Sequence, residues 1–157
     1  MAFVSVSSHP EVDSLVETCG YAAAALTILP IPGSEIIGVM PLHVGMVIGI
    51  AHHHDRTITR ESATALILQI GATVGLSLVG SRLATTAAKI LLPGLGGVIA
   101  APFMYASTLA IGAVADAFFR SEGSLSEAQM RALYNETLKG AKSTFRADKM
   151  HDREAVD

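Results

Sequence analysis

Tryptophan is absent from this sequence, and other aromatic residues are scarce. The 157 residues include three Tyr and five Phe, so aromatic side chains make up 5% of the chain. Proteins that cross a lipid bilayer usually place Trp and Tyr at both membrane interfaces. The scarcity of these residues weakens the case for a conventional membrane-spanning protein with an aromatic belt.

Cysteine is almost absent as well. The single Cys19 excludes a disulfide within the chain and fits a reducing compartment. No activating cluster surrounds it in the sequence, so we expect a buried, unreactive thiol. The first residues, Met1 to Ser8, contain no basic side chain and no cleavage-site pattern, and we therefore expect no signal peptide.

The sequence also contains few charged residues. Charged residues make up 16% of the sequence, compared with roughly 25% in an ordinary soluble domain. Half of the residues are hydrophobic, and the mean hydropathy is +0.47. This balance favours membrane association, whereas the net charge of −3 argues against a nucleic-acid-binding domain, which would usually be basic.

Two long segments without any charged residue organise the chain. They run from Ser62 to Ser81 and from Ile90 to Ala115. A helix rises ~1.5 Å per residue, so each segment is long enough to cross ~30 Å of hydrocarbon. Their connection, Leu91 to Gly97, is apolar too, although a soluble helical hairpin normally has a polar connection because its backbone groups need water. We therefore predict a helical hairpin whose tip is buried in lipid or against protein.

A similar hairpin is predicted upstream. Its first helix runs from Pro10 to about Ile28, and its second begins at Ser34 as N-cap, with Pro41 causing a kink or a late start. The turn residues that we predict for the two hairpins are Pro30, Pro32, Gly33, Pro93, Gly94, Gly96 and Gly97. If both turns lie at one end, the N-terminus, the loop at residues 52–60 and the C-terminus share the other end.

Glycines one helical turn apart indicate close helix packing. Small residues at this spacing let two helix backbones approach each other, which matters most in lipid. The residues that we assign to such faces are Gly45, Gly49, Gly71, Gly75 and Gly80. In the later helices, Thr57 or Thr59 is expected to cap the third helix, and the fourth is expected to begin near Val98 with Pro102 in its first turn.

The C-terminal helix has a different character. Ser124 to Glu127 has capping-box spacing, and an apolar stripe follows, formed by Met130, Tyr134, Thr137, Ala141 and Phe145. A basic face is formed by Lys139, Lys142, Arg146 and Lys149. This face suits anionic lipid headgroups or an acidic partner, or else it is the solvated side of a helix that packs on the bundle.

These patterns predict an all-α fold of two apolar helical hairpins with Pro-Gly turns and an amphipathic C-terminal helix. The expected divisions are a flexible arm at residues 1–9, a double hairpin at 10–120, the amphipathic helix at 121–147 and a charged tail at 148–157.

No pattern indicates chemistry. The run from His52 to Asp55 invites a metal interpretation, but consecutive residues on a helix point in different directions, so we expect a polar helix end or a pH-sensitive loop instead. Asp116 is expected to face water or Arg120 near a membrane interface. We predict no catalytic residue, no metal site and no cofactor.

The sequence also resembles a known family. The residues that carry the resemblance are Ile28 to Glu35 (ILPIPGSE), Lys89 to Gly97 (KILLPGLGG) and the closing Ala117-Phe118-Phe119. Over about residues 20 to 120 they are similar to an uncharacterised bacterial all-helical domain associated with small Era-like GTPases and with related inner-membrane proteins. The resemblance implies a helical, membrane-directed or GTPase-associated module without known catalytic residues. The chain has no phosphate-binding loop of its own, so any nucleotide switch would come from a partner.

Three functions remain open at this point. The first is a non-enzymatic, membrane-associated and oligomeric module at the cytoplasmic face of the inner membrane, acting as anchor, scaffold or partner of a GTPase. The second is a cytoplasmic α-helical subunit of a homo-oligomeric shell, ring or filament, and the third is a small pore or transporter. The expected partners are membrane lipid, further copies of the chain and a separate GTPase, with no nucleic acid.

Overall fold

The computed structural model describes residues 5–28, 34–74, 95–146 and 148–149. Of these residues 81% are helical, and they form five helices and no strand, which confirms the all-α prediction. The helices are α1 (Pro10–Ile28), α2 (Ser34–His53), α3 (Arg60–Val74), α4 (Leu95–Arg120) and α5 (Glu127–Lys142). Five predicted turn residues lie outside the described ranges, namely Pro30, Pro32, Gly33, Pro93 and Gly94, and so do Gly75 and Gly80.

The first three helices begin at the residues that local chemistry favours. Pro10 opens α1, where a proline costs no hydrogen bond, and acidic side chains follow in the first turn, close to the positive end of the helix dipole. Thr59 caps α3, because its Oγ1 accepts a hydrogen bond from the backbone N–H of Ser62 at 3.1 Å. Helix α2 begins at Ser34 and continues through Pro41.

Helix α4 begins earlier than the sequence suggests. It starts at Leu95 rather than near Val98, so Gly96 and Gly97 belong to its first turn and not to the hairpin turn. Pro102 consequently lies inside the helix instead of in the first turn. A glycine in a helix costs about 1 kcal/mol, a cost that favourable packing elsewhere along a 26-residue helix can offset.

Helix α4 is the centre of the bundle. It packs against α1, α2, α3 and α5, and every residue from Met104 to Ala117 is buried. Two glycines allow its close approach to α1. A Cβ atom on Gly112 would lie 2.6 Å from Val16 Cγ1, and one on Gly20 would lie 2.6 Å from Leu109 Cδ1.

Helix α5 covers one side of α4 with the predicted apolar stripe. Its buried residues are Met130, Tyr134, Thr137 and Ala141. The capping box differs from the predicted one. Ser126 is the N-cap and exchanges hydrogen bonds with Gln129, because the helix begins at Glu127, two residues later than a cap at Ser124 would require.

The described parts of both terminal segments contact α1. The buried Asp13 carboxylate accepts hydrogen bonds from the backbone N–H groups of Val6 and Ser7 at 2.7 and 2.9 Å, and from Ser5 Oγ at 2.8 Å. At the other terminus, Lys149 Nζ lies 3.3 Å from the Glu17 carboxylate and 5.8 Å from the Tyr21 ring centroid. The described residues of the expected arm and tail are thus attached to the first helix.

Candidate functional site: a buried aspartate and histidine at the polar end

The C-terminal ends of α2 and α4 meet at one end of the bundle, which we call the polar end. Helix α2 finishes in a Schellman motif, in which the Arg56 N–H donates to the Ala51 carbonyl at 2.9 Å and Asp55 has a positive φ of 56°. This turn holds His54 at the mouth of the bundle, with 13% of its side chain exposed. Helix α4 brings Asp116 to the same place.

Asp116 and His54 form a buried polar contact between the two helices. Their Oδ1 and Nε2 atoms are 2.8 Å apart, and Asp116 is 1% exposed. An ionised carboxylate only accepts hydrogen bonds, so Nε2 is the donor. The prediction that Asp116 faces water is therefore wrong, because α4 packs this position into the bundle. The predicted proximity to Arg120 is correct, since Arg120 Nη1 lies 3.6 Å from Asp116 Oδ2.

The second carboxylate oxygen of Asp116 is incompletely satisfied. Oδ2 is buried and has no hydrogen-bond partner among the described residues, because the Arg120 guanidinium stays beyond hydrogen-bond distance. Buried polar atoms are normally paired. An exception inside an otherwise apolar helix marks Asp116 as a candidate functional residue.

Other rings surround His54. The His9 ring meets it edge-on with centroids 6.0 Å apart, and the Phe119 ring stacks on it at 6.3 Å. The neighbouring His53 faces Glu11, with Nδ1 and Oε2 3.4 Å apart. These contacts bring the start of α1, the loop after α2 and the end of α4 together.

The polar end contains titratable side chains from three segments of the chain, namely His9, His54 and Asp116. In the described ranges, no group of three or more His, Cys, Asp or Glu side chains comes together in a way that could hold a metal ion. The thiol of Cys19 is not activated as a nucleophile, since burial raises its pKa to about 11.

A second buried contact joins the same two helices in mid-bundle. His43 Nε2 lies 2.9 Å from Thr108 Oγ1, and the Thr108 hydroxyl donates its proton to the Met104 carbonyl, also at 2.9 Å. The threonine oxygen is therefore the acceptor and His43 Nε2 the donor. Sequence analysis did not predict this pair, because the two residues are 65 positions apart.

The predicted packing glycines have different surroundings. A Cβ atom on Gly49 would lie 2.7 Å from Leu15 Cδ2, so this glycine does admit a neighbouring helix. Gly45 is exposed with no atom within 4 Å of such a Cβ, and Gly71 is half-buried. The closest helix contacts use Gly20 and Gly112, which the sequence pattern does not indicate because neither belongs to a pair of glycines spaced four residues apart.

The predicted basic face is partly neutralised within the chain. Lys142 Nζ lies 5.2 Å from the Phe103 ring centroid, and Arg146 pairs with the neighbouring Asp148 at 2.9 Å. Lys149 contacts Glu17 and Tyr21 of α1. Lys139 is exposed at the surface of α5.

Within the described residues, one stretch is long and apolar enough to cross a membrane. It covers 20 residues, Ala101–Arg120, with a mean hydropathy of 1.3. Inside the bundle, 83% of the window is buried by the other helices, as in the core helix of a soluble protein. Length and composition alone therefore fit both environments.

Comparison of the chain with protein-family models, with curated proteins and with solved structures found no match.

Proposed function

We propose that this chain is a non-enzymatic, membrane-associated helical module that serves as an anchor or scaffold at the cytoplasmic face of the inner membrane. The observation that carries the proposal is the apolar character of α4, whose stretch before Asp116 contains no charged residue. By length and composition such a helix suits lipid, although in the bundle it forms the core.

The partner that we propose is a separate GTPase. This part of the proposal is supported by the resemblance of the two Pro-Gly segments to a GTPase-associated domain, and by the lack of any phosphate-binding loop in the chain. The module would contribute lipid binding, and the GTPase would contribute the nucleotide-dependent switch.

Cell fractionation tests the membrane proposal. We expect the intact chain in the membrane fraction, where a high-salt wash removes molecules attached by charge and alkaline carbonate leaves inserted molecules behind. Recovery of the whole population in the soluble fraction, without any lipid-bound material, would contradict the proposal.

The basic face provides a second arm of this test. Replacing Lys139, Lys142, Arg146 and Lys149 with Gln is expected to weaken binding to anionic vesicles at low salt, with about 1 kcal/mol lost per residue near the surface. Two of these side chains are already paired with acids, so the loss should fall below the sum for four free charges. Unchanged binding would remove the basic face from the proposal.

A second candidate function is a subunit of a soluble homo-oligomer. It is favoured by the outward face of α3, where Leu68 is 58% exposed and lies between the exposed Ala65 and Ala72. A cleft of about 280 Å³ opens beside this face, between α3 and the rings of Phe118 and Phe119. A large, uniform soluble particle in light scattering would favour this candidate over the first.

A further inference from the structure

Asp116 provides the one negative charge that contacts His54 or Arg120 in the described part of the chain. Its Oδ1 atom accepts a hydrogen bond from His54 at the end of α2, and its Oδ2 atom faces Arg120 in the last turn of α4. The group is almost fully buried, so water does little to screen these interactions. One carboxylate therefore offsets the positive charge of Arg120 and of any proton that His54 takes up.

The other charged and titratable groups near this pair come from two helices. His9 approaches His54 from the start of α1, while His53 and Asp55 flank His54 in the sequence. His53 is directed at the exposed Glu11 rather than at Asp116. Across the ranges that the structure covers, α3 and α5 bring no charged side chain within ion-pair distance of Asp116.

Acid affects this site in two opposite ways, depending on whether Asp116 is ionised. Histidine side chains gain protons as the pH falls from about 8 to about 5. A charged His54 strengthens its contact with Asp116 as long as the carboxylate is ionised. Once Asp116 is neutral, His9, His54 and Arg120 are like charges without a counter-charge in contact, and they repel one another.

Neutralising Asp116 also lowers the free-energy cost of placing α4 in lipid. Asp116 is the only charged residue between Ile90 and Phe119. A charged carboxylate is among the most costly groups to place in hydrocarbon, whereas a neutral one costs far less. The same protonation thus removes the ionic contact of α4 with His54 and makes the helix more compatible with lipid.

We propose that Asp116 is a charge-dependent latch: its ionised carboxylate holds the C-terminal part of α4 against His54, and loss of that charge releases α4 toward a lipid surface. The inference rests on the proposed function, because the released helix needs a membrane to enter. It adds the regulation of that function, which is acidification or any change that neutralises this carboxylate.

The test compares Asp116→Asn with a matched control, Asp55→Asn. Both substitutions remove one carboxylate at the polar end, but Asp55 is exposed, and asparagine tolerates its positive φ. In Asp116→Asn, the new side-chain amide keeps an oxygen that can accept the His54 hydrogen bond, so the variant removes the charge and little else.

Hydrogen exchange of α4 without lipid measures the latch itself. We expect the α4 amides of Asp116→Asn to exchange at least ~10-fold faster than those of Asp55→Asn at a pH of about 7.5. Equal protection of α4 in the two variants would overturn the proposal.

Vesicle binding measures the consequence. The vesicles contain phosphatidylcholine and phosphatidylglycerol, and the readout is the protein that floats with them after a high-salt wash. Asp116→Asn is expected to remain bound at neutral pH, where the control washes off. If α4 opens in the exchange experiment but nothing binds vesicles at any pH, the latch stands and the proposed membrane function fails.

His54→Gln keeps the test decisive if Asp116→Asn does not fold. Glutamine retains an N–H donor for Asp116 but gains no proton, so it cannot provide a positive charge that favours the ionised carboxylate. We expect the acid midpoint of α4 exposure to move at least ~0.5 pH unit higher. An unshifted midpoint would contradict the latch, since a purely structural hydrogen bond predicts no change in pH dependence.

Discussion

At the scale of single residues, Gly112 shows how tightly α1 and α4 meet. An added methyl group would lie 2.6 and 2.7 Å from the two Cγ atoms of Val16, a β-branched side chain that cannot easily turn away. Gly112→Ala is therefore expected to lower the free energy of unfolding by about 1–3 kcal/mol. Denaturant unfolding followed by far-UV circular dichroism measures this change.

Gly45→Ala is the matched control. This glycine lies inside α2 with open space around it, so alanine should raise the free energy of unfolding by about 0.5–1 kcal/mol through its better helix propensity. Equal effects of the two substitutions would show that Gly112 is not a packing residue.

Cys19 gives a prediction about reactivity. Burial raises the pKa of its thiol to about 11, so at a pH of about 8 only about one molecule in a thousand carries the reactive thiolate. We expect slow modification by a disulfide reagent in the native protein and rapid modification after unfolding in guanidinium. Rapid labelling of the native protein would place this thiol at the surface.

The contact of Asp116 with His54 could not be predicted from the sequence. Its neighbour Arg120 lies four positions away on the same helix, and that contact is predictable. His54 lies 62 positions away, and its approach depends on how two helix ends meet in space. Sequence patterns indicate that the ends share one side, but not which side chains touch.

At the scale of helices, the ends of α2 and α4 share an unusual feature. Each finishes with an acidic residue in the left-handed region, Asp55 with φ 56° and Glu122 with φ 56°. Glycine is the usual residue at this position, and an acid also opposes the negative end of the helix dipole. Both ends therefore carry residues that do not favour helix termination.

Glu122→Gly is consequently expected to stabilise the protein. Relief of the left-handed strain should raise the free energy of unfolding by about 0.5–1 kcal/mol, net of the greater freedom of glycine in the unfolded chain. Asp55→Gly should gain less, because aspartate tolerates positive φ better than glutamate does. A lower melting temperature for Glu122→Gly would indicate that the Glu122 side chain stabilises the α4 terminus in another way.

Local signals predict the starts of α1 and α3, but not those of α4 and α5. Pro10 and Thr59 act where the sequence places them, since a first-turn proline and a capping threonine need only neighbouring residues. Pro102 was misplaced because a proline near a glycine-rich segment suggests a first turn. Helix α4 nevertheless continues through the glycines and Pro102, because it packs against other helices. No local sequence pattern contains that packing.

At the scale of the whole molecule, the outward face of α3 determines whether copies associate. Leu68→Gln removes the large exposed apolar side chain from that face without affecting the core. If the chain forms a homo-oligomer through α3, light scattering should show a smaller particle, whereas Thr18→Gln on the exposed side of α1 should leave the size unchanged. An unaltered particle in both variants would exclude this face as the interface.

The all-α architecture follows from the sequence, because long apolar segments with prolines or capping residues at their starts are typical of helices. The central position of α4 does not follow from the sequence. Its composition is equally typical of a lipid-exposed helix, and only the assembled bundle shows that α1, α2, α3 and α5 surround it.

The contact of α1 with α4 also has a consequence for synthesis on the ribosome. Val16 packs against Gly112, so the face of α1 that meets α4 has no partner until the fourth helix has left the exit tunnel. At a translation rate of about 5–20 residues per second, that face stays uncovered for roughly 5–20 seconds. During this interval the nascent chain exposes apolar side chains that the finished bundle buries, which is the kind of surface that chaperones bind.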